Sequence, residues 1–328
     1  MAAALTNHRD LVERPSVAVQ SQQVDASEVR AGIERAVSRT VVVSEAVMEP
    51  VLCALVAGGH ILLEGVPGTG KTMFARALAA TVAAGFRRIQ FTNDLMPSDI
   101  VGTAVWRPDI GRFRFVRGPL FTNLVLADEI NRTSPRTLSC LLEAMENGLC
   151  SVEGQTLELG KPFTVLATRN PIEFHGTFPL PEAALDRFLV CVELGYPDAS
   201  AEIALYGGAD PEARLSEIGP LLSTDDMLAL HEQCKLVTAS LPLTEYAYRI
   251  VTGTRDHPSL ALGASPRAAM SWLAAGRARA LLHGRDYVLP DDLKRLAVPV
   301  LAHRLIPRGD VPTSEVILEL LDDVEVPL

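Results

Sequence analysis

The sequence predicts an α/β domain, a three-layer αβα arrangement around a mostly parallel sheet, followed by a small all-α domain. Three observations carry that prediction. Short, continuously apolar runs alternate with helix-forming runs over roughly residues 60–192, as expected of strands covered on both faces. A glycine-rich octapeptide, Gly65-Val66-Pro67-Gly68-Thr69-Gly70-Lys71-Thr72, sits between the first such run and a helix. After Gly195-Tyr196-Pro197 the alternation stops, and helical periodicity continues to the end of the chain.

In chain order, residues 1 to about 24 lack apolar periodicity and read as a mobile tail. Asp25 followed by Glu28 has the spacing of a capping box, and Val29, Ile33 and Val37 mark the buried stripe of the helix it opens. A second helix is expected over 45–57, with Pro50 arguing for a kink or a late start and Gly58-Gly59 for the stop. Strands are expected at 60–64, 88–91, 124–127, 163–168 and 188–192, with helices at 72–82 and 138–147 between them. The latter has Ser134 as cap, Pro135 at the first position and Gly148 as the end. Helices over 199–206, 224–235, 243–255, 266–282 and 291–303 complete the chain. The expected domains are therefore 25–195 and 196–328.

The octapeptide fits G-x-x-x-x-G-K-[ST]. Between a strand and a helix, such a loop turns backbone N–H groups inward in front of a helix N-terminus, which suits a polyphosphate. Lys71 at the positive end of a helix dipole is a local conflict that a phosphate resolves, and Thr72 offers a hydroxyl to Mg²⁺. ATP and Mg²⁺ are the expected cofactors, with residues 65–72 and the following Met73 as the nucleotide-binding segment. Farther on, an apolar strand ends in Asp128-Glu129. There Asp128 can hold the metal and Glu129 can activate the attacking water. Asn170, at the tip of the strand over 163–168, can hydrogen-bond that water or the terminal phosphate. Arg187 immediately precedes a strand and, in a ring, could reach a neighbour's phosphate. Arg267 places a cation in the first turn of a helix capped by Ser265 and Pro266, a second local rule broken where a phosphate would repair it.

Composition narrows the alternatives. A hydrophobic fraction of 48% supports a real core. A net charge of −10 gives no global attraction for nucleic acid. No apolar run has the length of a membrane span and no signal-peptide pattern opens the chain, so the expected location is the cytoplasm. Five cysteines without C-x-x-C pairing read as reduced, mostly buried thiols. The histidines show no metal-ligand spacing, and His175 reads as an interface residue rather than a base.

Together, GGHILLEGVPGTGKT, FTNDLMPSDIVGT, GPLFTNLVLADEINRTSPRTLSCLLEAMENG, FTVLATRNPIEFHGTFPLPEAALDRF and LGASPRAAMSW resemble the AAA+ ATPases, and within them the MoxR family, over about residues 27–325. The resemblance implies residues 65–72 as Walker A, Asp128 and Glu129 as Walker B, Asn170 as sensor 1, Arg187 as arginine finger and Arg267 as sensor 2. It also implies a homo-hexameric ring and a chaperone role, often with a partner carrying a von Willebrand factor A domain. Four positions depart from the family pattern: Ser44 and Glu45 near the expected adenine pocket, Asn93, and Arg169 beside sensor 1.

Two inserts could touch a substrate. The first, about residues 104–118, puts Phe113 and Phe115 on one strand face and Arg112 and Arg114 on the other, and resembles the family's helix-2 insert. The second, about 150–161, matches the hairpin before sensor 1. Copies of Arg112, Arg114 and Arg117 around a pore would make a basic funnel. The leading reading is a ring ATPase that remodels, activates or assists cofactor insertion into a protein partner. The alternative is a nucleic-acid-dependent motor using that funnel, against which the acidic whole and the lack of an appended DNA-binding module both speak.

Overall fold

The computed structural model of the chain describes residues 24–327 apart from 153, 172–177, 198 and 209. The tail expected over 1–24 falls almost wholly outside these residues, as does His175. Helix α1 (Ala26–Ser38) begins where the sequence predicts, with the Asp25 carboxylate accepting from the Ser27 and Glu28 backbone N–H groups. Helix α2 (Glu45–Val56) starts at Glu45 and runs through Pro50. Every residue from Val47 to Val56 is buried, so tertiary packing outweighs the one lost backbone bond.

The alternating part follows: β1 (His60–Glu64), α3 (Lys71–Ala80), β2 (Val82–Ala83), β3 (Phe86–Gln90) and α4 (Pro97–Val101). Next come the hairpin of β4 (Gly102–Arg107) and β5 (Arg112–Arg117), then β6 (Leu124–Asp128) and α5 (Pro135–Asn147). A second hairpin of β7 (Leu149–Val152) and β8 (Gln155–Glu158) precedes β9 (Thr164–Arg169), α6 (Glu182–Leu185) and β10 (Phe188–Glu193). The helical part holds α7 (Ala199–Tyr206), α8 (Pro211–Ser216), β11 (Leu222–Ser223), α9 (Thr224–Leu236), α10 (Leu241–Asp256) and β12 (Leu260–Leu262). It ends with α11 (Pro266–Leu282), α12 (Pro290–Leu301), β13 (Ile306–Pro307) and α13 (Thr313–Asp323). The short α8 and the terminal α13 have no counterpart in the sequence reading.

The central sheet has the order β10-β1-β9-β6-β3, with all neighbours parallel. Side chains alternate between two cores, as the pleat requires. Ile61 and Leu63, with Leu124 and Leu126, face the core shared with α2 and α3, whereas Leu62, Val125 and Ala127 face the one containing Leu138 and Leu141 of α5. The first core continues without interruption into Tyr246, Trp272 and Leu296 of the helical part.

Two buried polar devices hold these layers. The His60 imidazole accepts from the Val165 N–H at 3.1 Å through Nδ1 and lies 2.9 Å from the Met145 carbonyl through Nε2. The two bonds fix a neutral Nε2–H tautomer between the sheet and α5. Burial pulls its pKa from 6.5 down to about 4. Between α2, α11 and α12, fully buried Asp292 accepts from Arg279 at 2.5 Å, from both terminal nitrogens of Arg285 at 2.7 Å, and from the Leu289 N–H at 2.7 Å. Arg279 also reaches Glu49 of α2 at 3.0 Å. This network joins the first domain's helix to two helices of the second.

Two outcomes are expected. The unfolded chain protonates His60 near the usual value while the fold resists it, so stability present above pH 6.5 falls as pH drops toward 4, by about 3 kcal/mol. Urea midpoints of the wild type and His60→Gln across that range should differ in slope, the variant being flatter. Asp292→Ala removes the buried acceptor that Arg279 and Arg285 share, leaving Glu49 to face Arg279 by itself, and should cost about 3–5 kcal/mol in the same measurement.

Candidate functional site

The carboxyl ends of β1, β9, β6 and β3 lie side by side, with Glu64 opposite Arg169 and Gln90 opposite Asp128 in register. Ligand sites in open parallel sheets form at this edge. From β1 the chain enters the loop of Gly65, Val66, Pro67, Gly68, Thr69 and Gly70. Gly65, Gly68 and Gly70 all have positive φ, at 144°, 86° and 87°, and a Cβ on Gly65 would run into the Leu194 carbonyl. The glycines are therefore a steric requirement of the loop. Gly70 caps α3, so Lys71, Thr72 and Met73 form its first turn.

Lys71 is buried, and its ammonium donates to the Gly65 carbonyl at 2.6 Å, the Val66 carbonyl at 2.8 Å and Asn170 Oδ1 at 3.1 Å. Desolvation pushes its pKa below the ordinary lysine value, against the pull of Asp128 and Glu129. The Thr72 hydroxyl lies 3.3 and 3.2 Å from the two Asp128 oxygens. Asp128 is buried and also receives the Thr168 hydroxyl at 2.5 Å and a fork from Arg88, Nε at 3.0 Å and a terminal nitrogen at 2.6 Å.

Among the described residues Glu129 alone, apart from glycines, has positive φ, at 57°. That left-handed turn is a strained conformation for such a residue, and strain of this kind collects at functional sites. Its N–H donates to the Thr168 hydroxyl at 2.9 Å, while Gln90 and Arg132 each donate to its Oε2 at 3.0 Å. One threonine thus bonds both the Asp128 carboxylate and the Glu129 backbone. Asn131 donates to the Asn170 carbonyl at 3.2 Å, anchoring the tip of β9.

These groups line a cleft of about 520 Å³ that holds Lys71, Thr72, Asp128, Glu129 and Asn170 together with Arg76, Arg88 and Gln90. An adjoining, mainly apolar cavity of about 260 Å³ shares Gly68, Gly70 and Met73 with it, and is lined by Thr40, Val41, Val42, Pro197 and Arg214. A polyphosphate on one side and a flat apolar base on the other match this pair of spaces. The donor set fits Mg²⁺ as well: a hydroxyl and a carboxylate beside one another are hard oxygen ligands. Thr72 and Asp128 are the residues that would hold the ion.

The structure adds to the sequence reading and departs from it at Ser44 and Glu45. Ser44 and Glu45 line a separate cavity against α12, with Arg295 and Pro299, so the base-sized space is built instead by residues 40–42 just upstream. Arg169 forms an ion pair with Glu64, the residue preceding the loop. Arg88, Gln90 and Thr168 escaped notice because each lies inside an ordinary strand pattern, and only register brings them to Asp128 and Glu129. Arg187 and Arg267 do not line the cleft. Both reach Glu146 at the end of α5, Arg187 at 2.6 Å and Arg267 at 3.0 Å, and Arg187 also donates to the Ala183 carbonyl. Cys53, Cys150 and Cys234 are buried, Cys140 and Cys191 half-buried, and all five are free thiols.

Comparison with known proteins agrees with this geometry. Residues 60–190 match the model of the ATPase family associated with various cellular activities (AAA), and residues 252–320 match the AAA lid domain. The chain is 45% identical to YeaC of Bacillus subtilis, over 84% of this chain and 88% of that one. It is 40% identical to the chaperone MoxR1 of Mycobacterium tuberculosis, over 88% and 79%. Identity to the MoxR protein of Methylorubrum extorquens is 30%, over 94% and 96%. A crystal structure from Cytophaga hutchinsonii superposes with a TM-score of 0.82 at 34% identity, covering 93% of this chain and 97% of the other. With both AAA models matched and MoxR proteins 40% and 30% identical over most of their length, the chain belongs to the MoxR family of AAA+ ATPases.

Proposed function

We propose that this chain is a ring-forming, Mg²⁺-dependent ATPase that acts as a MoxR-type chaperone on a protein partner. The observation that carries the reading is a division of labour. The cleft gathers Lys71, Thr72, Asp128, Glu129 and Asn170, whereas Arg187 and Arg267 meet elsewhere, on Glu146. A second copy would bring the missing cations to the first copy's phosphates, which supports assembly with ATP between subunits.

Each residue then has a defined task. Lys71 exchanges its loop carbonyls for phosphate oxygens, and the inward N–H groups of residues 68–72 take the rest. Mg²⁺, when bound, neutralises charge on the triphosphate. Thr168 keeps Asp128 turned toward Thr72 and fixes the backbone of Glu129. Glu129, held by Gln90 and Arg132, accepts the proton of the attacking water. Asn170 offers its amide to that water or to the terminal phosphate. Arg187 of the adjoining copy steadies the charge that develops.

The client surface is read from the β4–β5 hairpin. Trp106 and Phe113 pack edge to face at 5.2 Å, yet are 49% and 67% exposed. Arg107, Arg112, Arg114 and Arg117 are exposed beside them. Such a surface suits an acidic polypeptide segment, and the partner with a von Willebrand factor A domain belongs to this reading. The same aromatic–arginine pairing favours a second reading, a single-stranded nucleic-acid channel. If single-stranded DNA stimulates hydrolysis with a steep salt dependence, the second reading replaces the first.

Measured together, nucleotide binding and phosphate release test the site. Lys71→Ala should lose binding, and Glu129→Gln should bind ATP but turn over at well under a hundredth of the wild-type rate. Arg187→Ala should bind ATP normally and lose roughly 10³-fold in turnover. Mixing Arg187→Ala with Glu129→Gln should restore activity, because an interface combining an intact finger and an intact base then exists. Absence of recovery would overturn the shared site.

A further inference from the structure

We propose that Glu146 is a positioning residue that holds Arg187 and Arg267 as one two-arginine unit for the phosphate of a neighbouring copy, an inference that rests on the shared-site reading above. Its two oxygens are divided between the two cations. Oε2 accepts from Arg187 at 2.6 Å, and Oε1 accepts from Arg267 at 3.0 Å. The three residues come from three separate places in the chain: the end of α5, the turn just before β10 and the first turn of α11. No local sequence spacing links them.

Charge explains the arrangement. Two guanidinium groups this close repel one another, and a carboxylate between them removes most of that repulsion. Glu146 lies on the last turn of α5, where the helix dipole favours nearby cations. The same dipole rule disfavours Arg267 at the start of α11, so Arg267 depends on an anion brought from another element. The guanidinium groups of Arg267 and Arg187 in turn hold the Glu146 carboxyl below the usual range, so it stays ionised.

Stability does not account for the bridge. Glu146 and Arg267 are exposed, and ion pairs of that kind contribute little to folding. What the bridge does fix is placement. Arg187 is pinned at both ends of its fork, by Glu146 and by the Ala183 carbonyl, and Arg267 is drawn to the same carboxylate from the lid. Both arginines therefore face a docking copy from one spot. The lid's position is also tied to that of the finger.

Glu146→Gln tests this, because it keeps the shape but leaves one acceptor oxygen where two arginines need one each. The expected result is an unchanged KM and unchanged ATP affinity in dilute chain, with kcat down roughly tenfold to a hundredfold. A readout independent of turnover accompanies it. Adding Glu146→Gln to the Glu129→Gln chain should weaken ATP-dependent assembly several-fold in sedimentation, with the melting temperature unmoved. Glu146→Gln mixed with Glu129→Gln should regain activity, but mixed with Arg187→Ala it should not, since those two defects lie on the same side of the interface. An unchanged or raised kcat, a melting temperature lowered by several degrees, or recovery with Arg187→Ala would each overturn the proposal. Failure of Arg187→Ala and Glu129→Gln to complement one another would instead overturn the shared site itself.

Discussion

The buried carboxylate of Asp128 is the constraint on which the site is built. An ionised group in a sheet core is tolerated only when its oxygens are satisfied. Here the satisfying groups come from three different elements: Thr72 on α3, Arg88 on β3 and Thr168 on β9. Meeting that demand fixes the register of the strands on either side of β6 and the distance from the sheet to the first turn of α3. Lys71 and Asn170 then converge because their elements are already placed, and the 3.1 Å bond between them follows from that placement.

Polar groups elsewhere obey the same logic at lower stakes. His60 bridges sheet and helix as a neutral ring with both nitrogens used. Asp292 draws Arg279 and Arg285 into the helical part, and Arg279 passes the connection on to Glu49. Apolar packing supplies most of the cohesion, since one core runs from α2 and the sheet into Trp272 and Tyr246. The polar links decide which way the parts face one another. For a molecule whose phosphate-binding loop and lid belong to different segments, that orientation is functional.

Strain and exposure mark the working parts. Glu129 is held in a left-handed conformation by neighbours that do not let it relax. Trp106 and Phe113 stay in solvent on a hairpin that pairs with no further strand among the described residues. Both features oppose what stability alone would select. One turns the Glu129 carboxylate toward the cleft, and the other presents an aromatic surface beside arginines.

The sequence by itself determined the fold class, the strand–loop–helix that carries Gly65 to Thr72, the paired carboxylates at the end of β6, and the caps at Asp25, Ser134 and Ser265. These are local matters: apolar period, glycine at positive φ, and side chains bonding to the next turn. Only the tertiary structure decided the rest. Arg88, Gln90 and Thr168 join the carboxylates through strand register, which no single strand encodes. The base-sized cavity formed from residues 40–42 rather than 44–45, because the direction of the chain entering α2 depends on packing against the sheet and α11. Glu146 looked like one more polar residue on an amphipathic helix. Its meaning appeared when α5, β10 and α11 brought two distant arginines to its two oxygens, since electrostatic partnership at long separation is a property of the folded chain.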